Sequence, residues 1–139
     1  MSDETARPEY PGASKKPVLR VLSAEDHKLY AEMVIAIYEK SGHVVDAAAD
    51  GQEALERIEA APGSYDLLVT DHQMPRLDGL GLVGRLRARG FVGKIIVHSS
   101  KLTEIDIVRY REYGVDCIAM KGQDTGDLAE IAQQLFSPE

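Results

Sequence analysis

Short apolar runs alternate with helix-period stretches five times along this chain of 139 residues, and that alternation restricts the possible folds more than any other feature. The first pair is a strand predicted over 18–22 (VLRVL) and, after the polar break SAED, a helix over 26–40. Leu29, Met33, Ala36 and Ile37 form its apolar stripe, and Gly42 marks its end. A weaker strand over 44–48 follows. Asp50 is placed to cap a helix over 51–61, which Pro62-Gly63 closes. The third strand covers 66–70 and its helix 79–89. Gly81 and Gly84 mark the start of that helix as its weak end. A strand over 94–98, a helix capped by Thr103 and ended by Gly114, a strand over 116–120 and a helix over 127–136 complete the series.

Strands separated by single helices return in the same direction, because each right-handed crossover brings the chain back to the same edge. The predicted class is therefore α/β, a doubly wound five-stranded parallel sheet with helices on both faces. DLLVT and KIIVH are more uniformly apolar than VVDAA, which places the second strand nearer an edge. The order 2-1-3-4-5 follows, with its switch point between strands one and three, and ligands in such sheets bind outside the carboxyl ends of the strands. Those ends carry Glu25 and Asp26, Asp71, Ser99 and Ser100, and Lys121. Three carboxylates, a hydroxyl and an ammonium are thus expected at one mouth.

A net charge of -7 argues against a basic nucleic-acid surface and turns attention to protein or metal partners. Cys117 stands alone, so neither an intramolecular disulfide nor a zinc cluster is available, and a reducing cytoplasm suits the chain. No apolar stretch is long enough for membrane insertion, and the N-terminus lacks a signal-peptide core. Residues 1–17 hold three of the six prolines and almost no aliphatic side chains, so they are expected to form a flexible N-terminal tail before a single domain over 18–139.

Clustered carboxylates need a cation, and an all-oxygen donor set selects a hard one, for which Mg²⁺ is the best candidate. Because Mg²⁺ bridges protein carboxylates to phosphate oxygens, the expected chemistry is phosphoryl transfer. Asp71 would act as nucleophile while Lys121 neutralises charge on the phosphoryl group.

The same motifs resemble the receiver domains of two-component response regulators over about residues 18–136. VLSAEDHKLYAEMV resembles their acidic-pair loop, DLLVTDHQMPRLDG their phosphorylation-site signature, IIVHSS the strand ending in a switch hydroxyl, and GVDCIAMKG the strand ending in a lysine. The resemblance implies a flavodoxin-like fold. It also implies Glu25, Asp26, Asp71 and the backbone carbonyl of Gln73 as ligands of Mg²⁺, Asp71 as phosphoacceptor, Ser99 as switch hydroxyl and Lys121 as catalytic cation. The implied donor is a histidine kinase or histidine phosphotransfer protein. Phosphorylation would change a surface of helix 4, strand 5 and helix 5 read by a downstream protein target. With no DNA-binding segment after Glu139, a stand-alone receiver, monomeric or weakly dimeric, is expected. Its only catalysis would be its own phosphorylation and dephosphorylation.

Two positions depart from the family pattern. Ile118 stands where receivers usually carry an aromatic side chain, and Gly122 follows Lys121 where they carry a proline, typically across a cis peptide. A non-proline cis bond costs ~2.5–4 kcal/mol, so a trans or strained loop is expected there. These departures raise an alternative, a degenerate receiver acting as a phosphorylation-independent interaction module, against which the intact acidic triad and Lys121 argue. A metal-dependent phosphatase with an aspartyl nucleophile is disfavoured, since Gln73 cannot be the general acid two residues after Asp71. Strand alternation turns His72 and His98 away from the neighbouring Asp71 and Ser99, so both are expected to be packed or hydrogen-bonded elsewhere. His27 is expected to be a polar residue at a helix start.

Overall fold

The computed structural model describes residues 17–137; most of the sequence assigned to the N-terminal tail, 1–16, lies outside them. Its elements are β1 (Arg20–Ala24), α1 (Lys28–Lys40), β2 (Val44–Ala48), α2 (Gly51–Ala60), β3 (Leu67–Thr70), α3 (Gly79–Ala88), β4 (Lys94–Ser99), α4 (Glu104–Glu112), β5 (Cys117–Met120) and α5 (Leu128–Leu135). A short 3₁₀ turn, Thr125–Asp127, leads into α5. All strands pair in parallel in the order β2-β1-β3-β4-β5, as the alternation requires.

Alternate residues of each strand feed two cores. Leu22, Leu68, Ile95 and Val97 face Leu55, Leu82, Leu86 and Tyr110 of α2, α3 and α4. Val21, Val69 and Ile96 face Val34, Tyr38, Leu128 and Ala132 of α1 and α5. The central β3 is buried at every position, whereas Val44 of β2 is 47% exposed, which is the difference between a middle strand and an edge.

The structure moves the first two boundaries. β1 runs two residues further than VLRVL, because Ser23 and Ala24 remain in register with Val69 and Thr70 although the small polar SAED reads as a break. Consequently α1 starts at Lys28, with His27 in the capping position and Asp26 free in the loop. α3 has a defined start: the Asp78 side chain accepts from the Gly81 N–H at 2.8 Å, so the cap compensates for the weak helix formers. Asp50 caps α2, and Thr103 caps α4 in a reciprocal capping box with Asp106.

Candidate functional site

The strand ends stand level, which brings their polar residues together. The Glu25 N–H donates to the Ala48 carbonyl at 3.0 Å and the Asp71 N–H to the Ala24 carbonyl at 2.9 Å, so the ladder continues one residue past β1 and β3. Carboxylate oxygens of Glu25, Asp26 and Asp71 lie within 4.8 Å of one another. Glu25 and Asp71 are buried, while Asp26 is exposed at the rim. From beyond β5, Lys121 Nζ donates to Asp71 Oδ2 at 2.8 Å and to Glu25 Oε2 at 3.0 Å. The lysine side chain is 7% exposed, and its ammonium lies 4.7 Å from the centre of the Tyr30 ring.

Burial pushes the Glu25 carboxyl up to about 7, against the lowering effect of its bonds from Lys121 and the His27 N–H, and the nearby Asp71 charge adds to the rise. For Lys121, burial favours the neutral amine, but the bonds to Asp71 and Glu25 outweigh it and hold the ammonium above its ordinary range. The ammonium bonds Glu25 and Asp71, and a third carboxylate, Asp26, lies within 4.8 Å of both, so the cluster is short of positive charge. Hard oxygen donors with one rim carboxylate open to solvent fit a hydrated divalent cation such as Mg²⁺, which keeps several of its waters.

Gln73 lies at the edge of this mouth, exposed, and lines an open depression with Asp26, Met74, Pro75 and Asp78. Ser99 is buried at the end of β4. Its hydroxyl is held by the Lys101 backbone, donating to the carbonyl at 3.3 Å and accepting from the N–H at 3.4 Å. The histidines point off the site, as strand alternation predicts. His72 Nδ1 lies 2.6 Å from the Tyr110 hydroxyl and its Nε2 lies 3.4 Å from Asp106. His98 Nε2 lies 2.8 Å from Thr125 Oγ1 on the opposite face. His27 contributes its backbone N–H to Glu25, and its ring packs on Tyr30.

The Asp71 backbone is crowded as well. A Cβ on Gly79 would lie 2.4 Å from the Asp71 carbonyl oxygen and 2.4 Å from the Tyr110 hydroxyl, so only glycine fits where α3 begins under β3. All peptide bonds of the described residues are trans, including the one to Gly122, whose φ of 83° makes the turn.

Sequence reasoning missed three contributors. Tyr30 reads as one more polar-faced position of α1, yet it lies beneath the Lys121 ammonium. Thr125 reads as a loop residue, yet it is 2% exposed. Arg76, at φ 68° in the loop after Asp71, binds both oxygens of Asp50 and ties that loop to α2. Its positive φ had no glycine or asparagine to announce it.

The response regulator receiver domain family matches residues 21–133, and the chain belongs to that family. It is 36% identical to a gliding motility regulatory protein of Myxococcus xanthus over 107 residues, 76% of this chain but 14% of that protein. It is 32% identical over 108 residues to the two-component response regulator ORR41 of Oryza sativa, covering 76% of this chain and 85% of the relative. Among solved structures it resembles the CheX–CheY–BeF₃–Mg²⁺ complex of Borrelia burgdorferi, with a TM-score of 0.78 and 21% identity over 85% of this chain and 89% of that one, a likeness of fold. The protein is thus a receiver domain of two-component signalling, and among its described residues no helix is long and apolar enough to cross a membrane.

Proposed function

We propose that this receiver accepts a phosphoryl group on Asp71 from a phosphohistidine of a histidine kinase or histidine phosphotransfer protein. The observation that carries the reading is the pair of bonds from Lys121 to Asp71 and Glu25, with Asp26 within reach of both carboxylates. An Asp71 oxygen attacks phosphorus as the P–N bond to the donor imidazole breaks, and the nitrogen keeps that bond's electron pair. Lys121, already aimed at Asp71 Oδ2, then neutralises a phosphoryl oxygen. Glu25, Asp26, Asp71 and the Gln73 carbonyl would hold Mg²⁺, which, when bound, supplies charge neutralisation at the transferring group.

Output follows from rearrangement rather than further chemistry. The Ser99 hydroxyl exchanges its weak backbone contacts at Lys101 for the phosphoryl group, drawing the β4–α4 loop toward the site. Ile105 and Val108 of α4, 65% and 55% exposed, supply an apolar surface beside β5 and α5 for a downstream protein target. A cytoplasmic monomer or weak dimer suits this role. Labelling with acetyl phosphate and Mg²⁺, detected by mass, tests the reaction: wild type is labelled and Asp71→Asn is not. Labelling of Asp71→Asn to the wild-type extent would refute it.

Ile118 supports a second reading, a phosphorylation-independent interaction module, because the side chain is aliphatic and has no polar group to follow Ser99. Labelling without any spectral change at α4 would favour that module.

A further inference from the structure

We infer that Thr125, braced by His98, is a positioning residue that fixes the peptide after Lys121 and thereby aims the ammonium at Asp71. The inference rests on the reading of Asp71 as phosphoacceptor and adds residues outside that carboxylate site.

Lys121 is followed by a glycine at φ 83°, a residue that restrains its own backbone less than any other. The restraint comes from three residues on. Thr125 Oγ1 accepts the Gly122 N–H at 2.9 Å, and it does so from a position 2% exposed. The same oxygen lies 2.8 Å from Nε2 of His98, on β4 and 1% exposed. Local bonds between Met120 and Asp124 close the turn on itself, the Met120 N–H donating to the Asp124 carboxylate at 2.7 Å and the Asp124 N–H to the Met120 carbonyl at 2.8 Å. The His98 contact, by contrast, ties the turn to the centre of the sheet.

His98 also supports the lysine from below. Its ring packs edge-on against Tyr30, with centroids 5.7 Å apart, and Tyr30 lies under the Lys121 ammonium. The imidazole is costly at this position: Nδ1 is buried with no hydrogen-bond partner among the described residues. An apolar side chain would avoid that cost, but it could not reach Thr125 with a polar atom. The contact to Thr125 is therefore what the ring supplies to the site.

The test uses Thr125→Val, which keeps the shape and removes the hydroxyl, and Thr125→Ser, which restores it. Phosphorylation by acetyl phosphate in Mg²⁺ is expected to slow about tenfold or more in Thr125→Val, in line with the sensitivity of transfer steps to small misplacements. The rate is to be compared at saturating Mg²⁺, since Lys121 bonds two of the cation ligands, and Thr125→Ser should recover the wild-type rate. A wild-type rate in Thr125→Val, or a Thr125→Ser variant as slow as Thr125→Val, overturns the inference. If Thr125→Val does not fold, Thr125→Cys, with a much poorer acceptor of similar size, replaces it under the same criterion. Hydrogen exchange of the Lys121 ammonium tests positioning without phosphorylation: slow in wild type and Thr125→Ser, fast in Thr125→Val. Equal exchange in all three overturns it. Failure of wild type to be labelled, with the exchange pattern as expected, would refute the phosphoacceptor reading and leave the positioning role standing.

Discussion

His72 Nδ1 and the Tyr110 hydroxyl lie 2.6 Å apart, joining the residue after Asp71 to the buried face of α4. His72 also approaches Asp106, one turn earlier on that helix, and its backbone N–H donates to Asp71 Oδ1 at 2.7 Å. One residue therefore touches both the site carboxylate and the helix proposed to carry the output.

Tyr110→Phe removes the hydroxyl and leaves a buried His72 nitrogen unpaired, with a cost of about 1–3 kcal/mol. Urea unfolding should show that loss. Amide spectra recorded with fluoroberyllate and Mg²⁺ should show smaller shifts in α4 than wild type while shifts around Asp71 persist. Full wild-type shifts in α4 would mean that the signal leaves by another route.

The stability of the fold should carry a His98 signature in pH. Burial lowers the imidazole from 6.5 to about 4, Lys121 adds to the lowering, and Asp71 and Asp124 oppose it. The unfolded chain thus binds the proton more readily, and the His98 contribution is complete above pH 6.5 and lost as pH falls toward 4. A shift of this size amounts to about 3 kcal/mol across the window. Glu25, raised to about 7, contributes the opposite slope, so the quantity to measure is wild type minus His98→Gln. The unfolding free energy at pH 7 minus that at pH 5, taken with its sign, should be more positive in wild type than in His98→Gln; equal values would contradict the assignment.

Divalent-cation binding should stabilise the folded chain by mass action, by about 2.7 kcal/mol when Mg²⁺ is at a hundred times its Kd. Thermal unfolding with and without Mg²⁺ measures this. Asp26→Asn removes the exposed rim carboxylate without disturbing the Lys121 bonds, so its Mg²⁺-induced rise in Tm should be much smaller than that of wild type.

Asp50 has two duties, capping α2 through the Glu53 N–H at 2.8 Å and holding Arg76 in the loop after Asp71. Asp50→Ala should cost about 1–2 kcal/mol, mostly from the cap. Asp50→Asn keeps an acceptor for the cap but gives up the charge on Arg76, and its loss should be smaller. Chemical denaturation of both variants separates the two contributions.

Much of this arrangement could be read from short patterns. Period-two apolar runs and capping residues such as Asp50 and Thr103 are local signals, and they place Glu25, Asp26, Asp71, Ser99 and Lys121 at strand ends in the correct order. The end of β1 was harder, because Ser23 and Ala24 are strand residues only through their pairing with Val69 and Thr70. Thr125 and Tyr30 carry no local signal at all, since their partners lie on other elements.

By itself the sequence determined the parallel sheet, its strand order and the side of each strand on which His72 and His98 lie, because chain direction and side-chain alternation are properties of neighbouring residues. Only the tertiary structure decided what those side chains meet. Lys121 reaches Glu25 and Asp71 across 96 and 50 residues, His72 finds Tyr110 across 38, and His98 finds Thr125 across 27. Such contacts depend on how helices settle on the sheet, and that settling comes from burying apolar faces that carry no record of the polar atoms they bring together.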